Sequence, residues 1–330
     1  MFHPRFKGSH YDIGLKFGKR LKKSNIDFHK LIDLNKFQKD FGKKSQIILS
    51  AVFPEVCEEI RGLTDGLHYS YAEFASWLLC MGCCYDPKGC TGFCFIHRQT
   101  VFYGRNNDLP PFLKKSSASV LYELENGYSF IGNTSALINL EEGMNECGLA
   151  VAMKFLVPTR IVPGINSVFL VRYLLEKCAT TKEAINALSA LPIASACNIM
   201  LADKSGVLAV AECTPEKIFI RKPSAHENFI VAANHFIAEE MSCYNAILIY
   251  SSDKRYQTTY NALKNISYKD GLEHAQALLA GKHGFICQYD KAWNFETIWS
   301  SVFDVTHGKI YRAEGDPSRT SFKEDPRFIW

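Results

Sequence analysis

The 330-residue chain has no apolar run long enough to cross a bilayer; its densest apolar stretch, Trp77 to Cys84, is short and amphipathic. The N-terminal Met1-Phe2-His3-Pro4-Arg5 carries no apolar signal region, and the C-terminal Arg327-Phe328-Ile329-Trp330 carries no peroxisomal address. Neither export nor a membrane partner is therefore expected. The twelve cysteines form no regular framework beyond the adjacent pair Cys83-Cys84, a usage that suits reduced thiols and a cytoplasmic setting. Internal repeats and low-complexity linkers are missing, which excludes a solenoid or a string of tethered modules. Basic and aromatic residues do not interleave in a sustained patch, so nucleic acid is not an expected partner.

What is present suits a globular fold, with 47% hydrophobic and 22% charged residues. Charge is uneven. Residues 1–46 hold twelve Lys/Arg and four Asp, a net of +8 in a chain whose total is +4. Such a segment reads as a solvated helical face, or as one that docks on a more acidic body.

Apolar periodicity divides the chain near residue 90. Residues 8–86 read as helical. Gly8 to Gly18 opens a first helix with glycines at close-packing positions. A second helix is predicted from Ile26 to Phe41 and a third from Gln46 to Leu63. Ser70-Tyr71-Ala72-Glu73 is a capping box for a fourth that runs almost to Pro87. Beyond Cys90 the period becomes two. Strands are predicted at 90–96, 101–105, 119–124, 128–132, 148–155, 199–203, 207–213, 217–221, 229–233, 297–304 and 309–313. Asn126-Gly127 signals a type I′ turn. Helices are predicted at 165–177, 180–191, 244–264 and 271–279. Strands, helices, strands, helices and strands in that order predict two stacked sheets covered by helices, an α+β chain.

The chemistry centres on Pro87-Lys88-Gly89-Cys90-Thr91-Gly92. A thiolate at Cys90 can attack the carbonyl carbon of Gly89 through a five-membered ring. Glycine there presents no Cβ and tolerates unusual backbone angles. Scission would leave Cys90 with a thiol and an α-amine, whose pKa of about 7.7–8.0 suits a proton acceptor. Gly104-Arg105-Asn106-Asn107-Asp108 follows at hairpin distance. An acid there orients an ammonium, and an arginine beside it keeps the acid ionised and favours a thiolate; a surface ion pair is the plainer reading. Asn234, at a strand end, is a candidate oxyanion donor. His235 reads as a general base or as a loop histidine, and Arg255 by itself as a surface residue.

Taken in order, these residues resemble the cysteine N-terminal nucleophile (Ntn) hydrolases that cleave linear amides. These include bile-salt hydrolases, penicillin V acylase and the acyl-coenzyme A:isopenicillin N acyltransferases. Cys90-Thr91-Gly92 and Gly104 to Asp108 are similar to the nucleophile and Arg/Asp hairpin of the bile-salt hydrolases. Gly143-Met144-Asn145-Glu146-Cys147-Gly148-Leu149 is similar to their Gly-Met-Asn-Glu-x-Gly-Leu turn, and Thr297 to Val302 to their late Thr/Ser strand. Asn234 and Arg255 fall on their oxyanion Asn and helix Arg. Gly8 to Gly18 and Glu58 to Gly66 resemble the helical region of the penicillin-type acyltransferases. The resemblance implies a four-layer αββα Ntn-hydrolase sandwich, residues 90–330, preceded by a helical N-terminal segment, residues 1–89. It implies that this segment is cut at Gly89-Cys90 and stays bound.

The expected reaction is cleavage of a small-molecule amide through an acyl-thioester on Cys90, passed to water or to an amine. No metal or cofactor is expected, and acyl-coenzyme A is a candidate acyl donor. Cys90, Arg105, Asp108, Asn234 and Arg255 are the expected catalytic set. Lys154 stands where bile-salt hydrolases carry Asn and penicillin V acylase Tyr. It is either a substrate-binding residue, able to attract a carboxylate, or a solvated strand lysine. Two rival readings are a zinc module built from Cys80, Cys83, Cys84, Cys90, Cys94 and His97, and an uncut, non-catalytic interaction protein.

Overall fold

The computed structural model describes residues 1–24, 26–84, 89–266, 270–286, 289–290 and 294–327. Pro87 and Lys88, and Phe328 to Trp330, lie outside the described residues. Two sheets form the centre. The first runs β1 (Arg5–Gly8), β4 (Ala118–Leu124), β5 (Phe130–Thr134), β6 (Glu142–Asn145), β7 (Leu149–Phe155), β8 (Cys197–Asp203), β9 (Leu208–Cys213) and β10 (Ile218–Arg221). The second runs β11 (Phe229–Ala232), β2 (Gly89–His97), β3 (Thr100–Leu109), β13 (Phe295–Asp304), β14 (Lys309–Ala313) and β15 (Lys323–Glu324), with β12 (Tyr289–Asp290) paired to β13.

Side-chain alternation along β2 and β3 stacks the layers. Cys94 and Tyr103 point inward and meet Met144, Ala152 and Met200 of the first sheet. Phe93, Phe95 and Phe102 point outward and pack on Leu263 of α8 (Ser252–Lys264) and Leu278 and Leu279 of α9 (Gly271–Leu279). The far face of the first sheet is covered by α6 (Ser167–Lys177), α7 (Thr181–Ala190) and the N-terminal helices. The result is helix, sheet, sheet, helix, the α+β sandwich expected.

The N-terminal segment is built into this body. Its β1, which the sequence pattern did not announce, is the parallel edge strand beside β4. In α1 (His10–Lys22) and α4 (Pro54–Leu67), Gly14, Gly18, Gly62 and Gly66 bring the two backbones into contact; a Cβ at Gly14 would overlap the Glu59 carbonyl oxygen. Beneath them Arg172 of α6 is fully buried, its Nη2 2.6 Å from Glu59 Oε2 and its Nε bonded to Glu176. Glu176 Oε2 is 2.9 Å from His10 Nε2, and Tyr122 donates to Glu59 Oε1 at 2.8 Å. The buried pair thus sets an acid of the segment against a base of the body, and Glu55–Lys177 repeats that sense. The basic excess is elsewhere: Lys16, Lys19, Arg20, Lys22, Lys36 and Lys39 are exposed, the solvated face of the two readings.

Several elements differ from expectation for local reasons. The helix predicted over 26–41 is α2 (Phe28–Leu31) followed by α3 (Lys36–Val52), because Asn35 caps α3 through reciprocal bonds with Gln38 of 2.9 and 3.0 Å. The third predicted helix would have crossed Pro54, which instead opens α4, where its missing N–H costs nothing. The fourth, α5 (Tyr71–Cys80), stops well short of Pro87. β4 and β5 do pair, but Tyr122 faces Phe130, so the connection is longer than the two-residue turn expected at Asn126-Gly127. The helix expected from Tyr244 starts only at Ser252. Tyr250 and Ser251 have φ of 50° and 49°, a left-handed conformation that cannot continue a right-handed helix. Among the described residues, no helix is long and apolar enough to cross a membrane.

Candidate active site

The β2/β3 hairpin sets the site by register. Gly89 lies opposite Asp108, Cys90 opposite Asn107, Thr91 opposite Asn106 and Gly92 opposite Arg105. Residues directly opposed share a face. Cys90, Arg105 and Asn107 therefore point between the sheets, and Thr91, Asn106 and Asp108 toward the α8/α9 layer. The hairpin does bring Arg105 and Asp108 beside Gly89-Cys90. It does not make them partners. Three residues apart on one strand, they stand on opposite faces, which corrects the expectation of direct contact between them, while the Arg105 charge still favours the ionised Asp108.

On the inner face Cys90 is 1% exposed, its Sγ 3.8 Å from the Met153 carbonyl oxygen. Arg105 donates to Glu142 Oε2 at 3.0 Å, to Asn107 Oδ1 at 2.8 Å and to the Met153 carbonyl at 3.3 Å. Glu142 Oε1 accepts from Asn133, Trp299 and Ser301 at 2.6, 2.9 and 2.6 Å. Glu141 accepts from Asn107 and Ser135. Burial alone would lower the Arg105 pKa; the Glu142 carboxylate more than offsets it, so the guanidinium is held more firmly charged than usual.

On the outer face Asp108 is fully buried. Its Oδ1 accepts from Thr297, and its Oδ2 has no hydrogen-bond donor among the described residues, with Arg255 Nη1 4.0 Å away. Burial pushes the Asp108 carboxyl above its usual range, against the pull of Arg255 and Thr297. The Thr297 contact depends on a bulge in β13: Thr297 faces Asp108 while Trp299 faces Asn107, leaving Ile298 extra. The extra residue lets Thr297 and Trp299 serve opposite faces. A Cβ at Gly89 would lie 3.2 Å from Asp108 Cβ and 3.4 Å from Tyr250 Cδ2, so the position before Cys90 has little room for a side chain.

Asn234 and Arg255 close the site. The Cys90 N–H donates to Asn234 Oδ1 at 3.0 Å, and Asn234 Nδ2 stands 3.4 Å from Cys90 Sγ while donating to the Phe155 carbonyl at 2.8 Å. Arg255 is fully buried rather than on the surface. It donates to Asn234 Oδ1 at 2.6 Å, to the Cys90 carbonyl at 2.8 Å and to Thr91 Oγ1. Burial lowers its pKa, with Asp108 and Cys90 opposing.

Lys154 is fully buried, not a solvated strand lysine. Its Nζ donates to the Tyr103 hydroxyl at 2.8 Å and lies 3.7 Å from Met200 Sδ, in the apolar inter-sheet layer. Burial and the Arg105 charge bring its pKa down to about 7. His235 points Nδ1 at Ser252 Oγ, 2.6 Å away, rather than at the Cys90 thiol, and burial lowers its pKa to about 4. The zinc set is dispersed: on strand β2, Cys90 and Cys94 lie roughly 13 Å apart by their spacing, too far for one ion. Among the described residues no group of three or more His, Cys, Asp or Glu is arranged to hold a metal.

Glu141, Glu142 and the Met153 and Phe155 carbonyls were not singled out from the sequence. Adjacent acids in Leu140-Glu141-Glu142-Gly143 look like a polar turn. Only their full burial marks them.

A family model described as acyl-coenzyme A:6-aminopenicillanic acid acyl-transferase matches residues 97–319, more than half of the chain, starting just after Cys90. No curated protein matches the sequence. Among solved structures, a variant of the conjugated bile acid hydrolase from Clostridium perfringens is 13% identical with a TM-score of 0.51, covering 71% of this chain and 92% of that one. Penicillin V acylase from Agrobacterium tumefaciens is 17% identical with a TM-score of 0.47, covering 68% and 82%. At such identities the first of these speaks for the fold, the Ntn-hydrolase sandwich.

Proposed function

The chain belongs to the acyl-coenzyme A:6-aminopenicillanic acid acyl-transferase family of Ntn enzymes, and from that premise we propose that it cuts itself at Gly89-Cys90 and then cleaves linear amides through a thioester on Cys90. The observation that carries this reading is that one carboxamide, Asn234, faces both the Cys90 N–H and the Cys90 thiol, at 3.0 and 3.4 Å.

In the first step Cys90 Sγ bonds to the Gly89 carbonyl carbon. The Gly89–Cys90 C–N bond breaks, the nitrogen takes up a proton, and water hydrolyses the resulting thioester. Gly89 becomes a carboxylate and Cys90 gains a free α-amine. That amine emerges next to Gly89, the position that faces Asp108 across the hairpin, and Asp108 Oδ2 is without a donor among the described residues. Asp108 orients the ammonium, and Asn234 Oδ1 continues to accept from the same nitrogen. Residues 1–89 stay bound through β1 and the Glu59–Arg172 network, and residues 90–330 carry the chemistry.

In turnover the α-amine takes the thiol proton, and the thiolate attacks the substrate carbonyl. Asn234 Nδ2 donates to the developing oxyanion. Arg105 and Arg255 supply fixed positive charge, and the α-ammonium protonates the departing amine. Water or an amine acceptor then takes the acyl group, giving an acid or a new amide and restoring the thiol. Acyl-coenzyme A is a candidate donor for the second outcome. Lys154, sealed between the sheets, belongs to the electrostatics of the thiol rather than to a substrate-binding surface.

Intact-mass analysis tests the core of the proposal. Wild-type protein is expected as two associated pieces, 1–89 and 90–330, and Cys90→Ala as one inactive chain. A wild type that stays whole yet turns over an amide would sink the N-terminal nucleophile reading.

A further inference from the structure

We infer that Ser252 and His235 are positioning residues that hold Asn234 against the Cys90 thiol. The inference rests on the function proposed above and assigns two residues to it. Asn234 follows the last residues of β11 and lies beyond that strand's pairing with β2, which ends at Ala232. Something else must therefore fix its backbone. Its N–H donates to Ser252 Oγ at 2.7 Å, and Ser252 Oγ is in turn 2.6 Å from His235 Nδ1. Ser252 is fully buried and is the first residue of α8. Arg255, in the same first turn, binds Asn234 Oδ1 at 2.6 Å. One helix turn thus grips Asn234 at its backbone nitrogen and at its carboxamide oxygen.

The hydrogen-bond polarity is consistent along the chain of contacts. Ser252 Oγ accepts from the Asn234 N–H, so its own proton is free to go to His235 Nδ1. That requires an uncharged imidazole, and burial beside Arg255 and Arg221 favours the uncharged form over the pull of Asp253. The helix start is aimed by the two left-handed residues before it, Tyr250 and Ser251, which turn the chain sharply into Ser252. Loss of this grip would let the carboxamide drift or rotate, exchanging Nδ2 for Oδ1 beside the thiol. A donor would then become an acceptor where negative charge develops.

The experiment measures kcat and KM for amide cleavage on material confirmed as cut by mass. Ser252→Ala is expected to lower kcat about 100-fold, the scale of a small misplacement of a catalytic group, with KM little changed. Ser252→Thr, which keeps the hydroxyl, is expected to recover most of the loss. His235→Ala, at a half-buried site, is expected to show a smaller loss of the same kind. In an Asn234→Ala background, Ser252→Ala is expected to cost nothing further, because the group it positions is gone. Wild-type kcat in Ser252→Ala, or a full additional loss in the Asn234→Ala background, would overturn the inference. Should Ser252→Ala fold poorly, His235→Ala decides alone, and unchanged kcat there overturns the pairing. Failure of the underlying function is a different result: no self-cutting and no turnover by the wild type.

Discussion

The two faces of the β2/β3 hairpin are both charged and both buried, yet they are built differently. The inner face is densely bonded, with Arg105 Nε and Asn133 Oδ1 left without a hydrogen-bond partner among the described residues. Glu142 accepts four hydrogen bonds, and Arg105 gives three around it. The outer face is left short: Asp108 has one bonded oxygen and one without a donor among the described residues, with its cation at 4.0 Å. A densely bonded network is a scaffold, because the Glu142 carboxylate at its centre is already committed. Under the function proposed above, an under-satisfied acid beside Gly89-Cys90 is placed for the ammonium that scission would create. The comparison teaches that residues three apart in one motif serve separate tasks.

The most damaging way to break it is from the inside. Arg105→Ala strips the partner from buried Glu142, and breaking one side of a buried pair costs about 3–5 kcal/mol. The expected result is a large fall in Tm, read by thermal denaturation of the uncut Cys90→Ala background so that activity plays no part. An unchanged Tm would mean that the inner network is not a scaffold.

Asp108→Asn sharpens the contrast from outside. The change is isosteric and removes a charge that burial already disfavours, so Tm is expected to move little. Turnover of cut enzyme is expected to fall roughly 100-fold or more, the scale of a misplaced acid–base group. A fall in Tm with intact kcat would reverse the roles of the two faces.

The smallest effect is expected from Lys154→Met, a near volume-conserving change. The folded pKa of Lys154 is about 7 against a usual 10.5. Below the usual value the unfolded chain gains a proton that the folded chain refuses until about pH 7, so this lysine costs stability progressively as pH falls across that window. The substitution should therefore stabilise the protein near pH 7, by about 1–3 kcal/mol once the lost Tyr103 hydrogen bond is subtracted. The gain should shrink as pH rises and give way, by about pH 10–11, to a small loss from the missing Tyr103 bond. A Tm difference independent of pH would show that the ammonium is accommodated at no cost.

Much was legible in the sequence because it was local. Ser70 and Thr180 do cap their helices, and the glycines of α1 do lie at a backbone contact. The α9 helix falls where its period placed it. The strands of residues 90–105 were found from their alternation, and with them the hairpin that returns Arg105 and Asp108 to Cys90. The motif could also have warned that positions 105 and 108 differ in parity. Errors clustered where a neighbour overrode periodicity: at Pro54, at the Asn35 cap, and at the left-handed pair before Ser252.

The sequence by itself determined which groups are candidates for chemistry, a Gly-Cys bond with an arginine, an acid and an asparagine following in order, and the two helix-covered sheets that the order of its strand and helix periods implies. Only the tertiary structure decided what each group touches. Glu142 reaches Arg105 across the gap between two sheets, Thr297 reaches Asp108 through a bulge nearly two hundred positions away in the chain, and Lys154 is stripped of water by layers that close over it. Periodicity reports which side of its own element a residue occupies. Partners, charge states and burial depend on which other element packs there, and that is settled by contacts between distant parts of the chain.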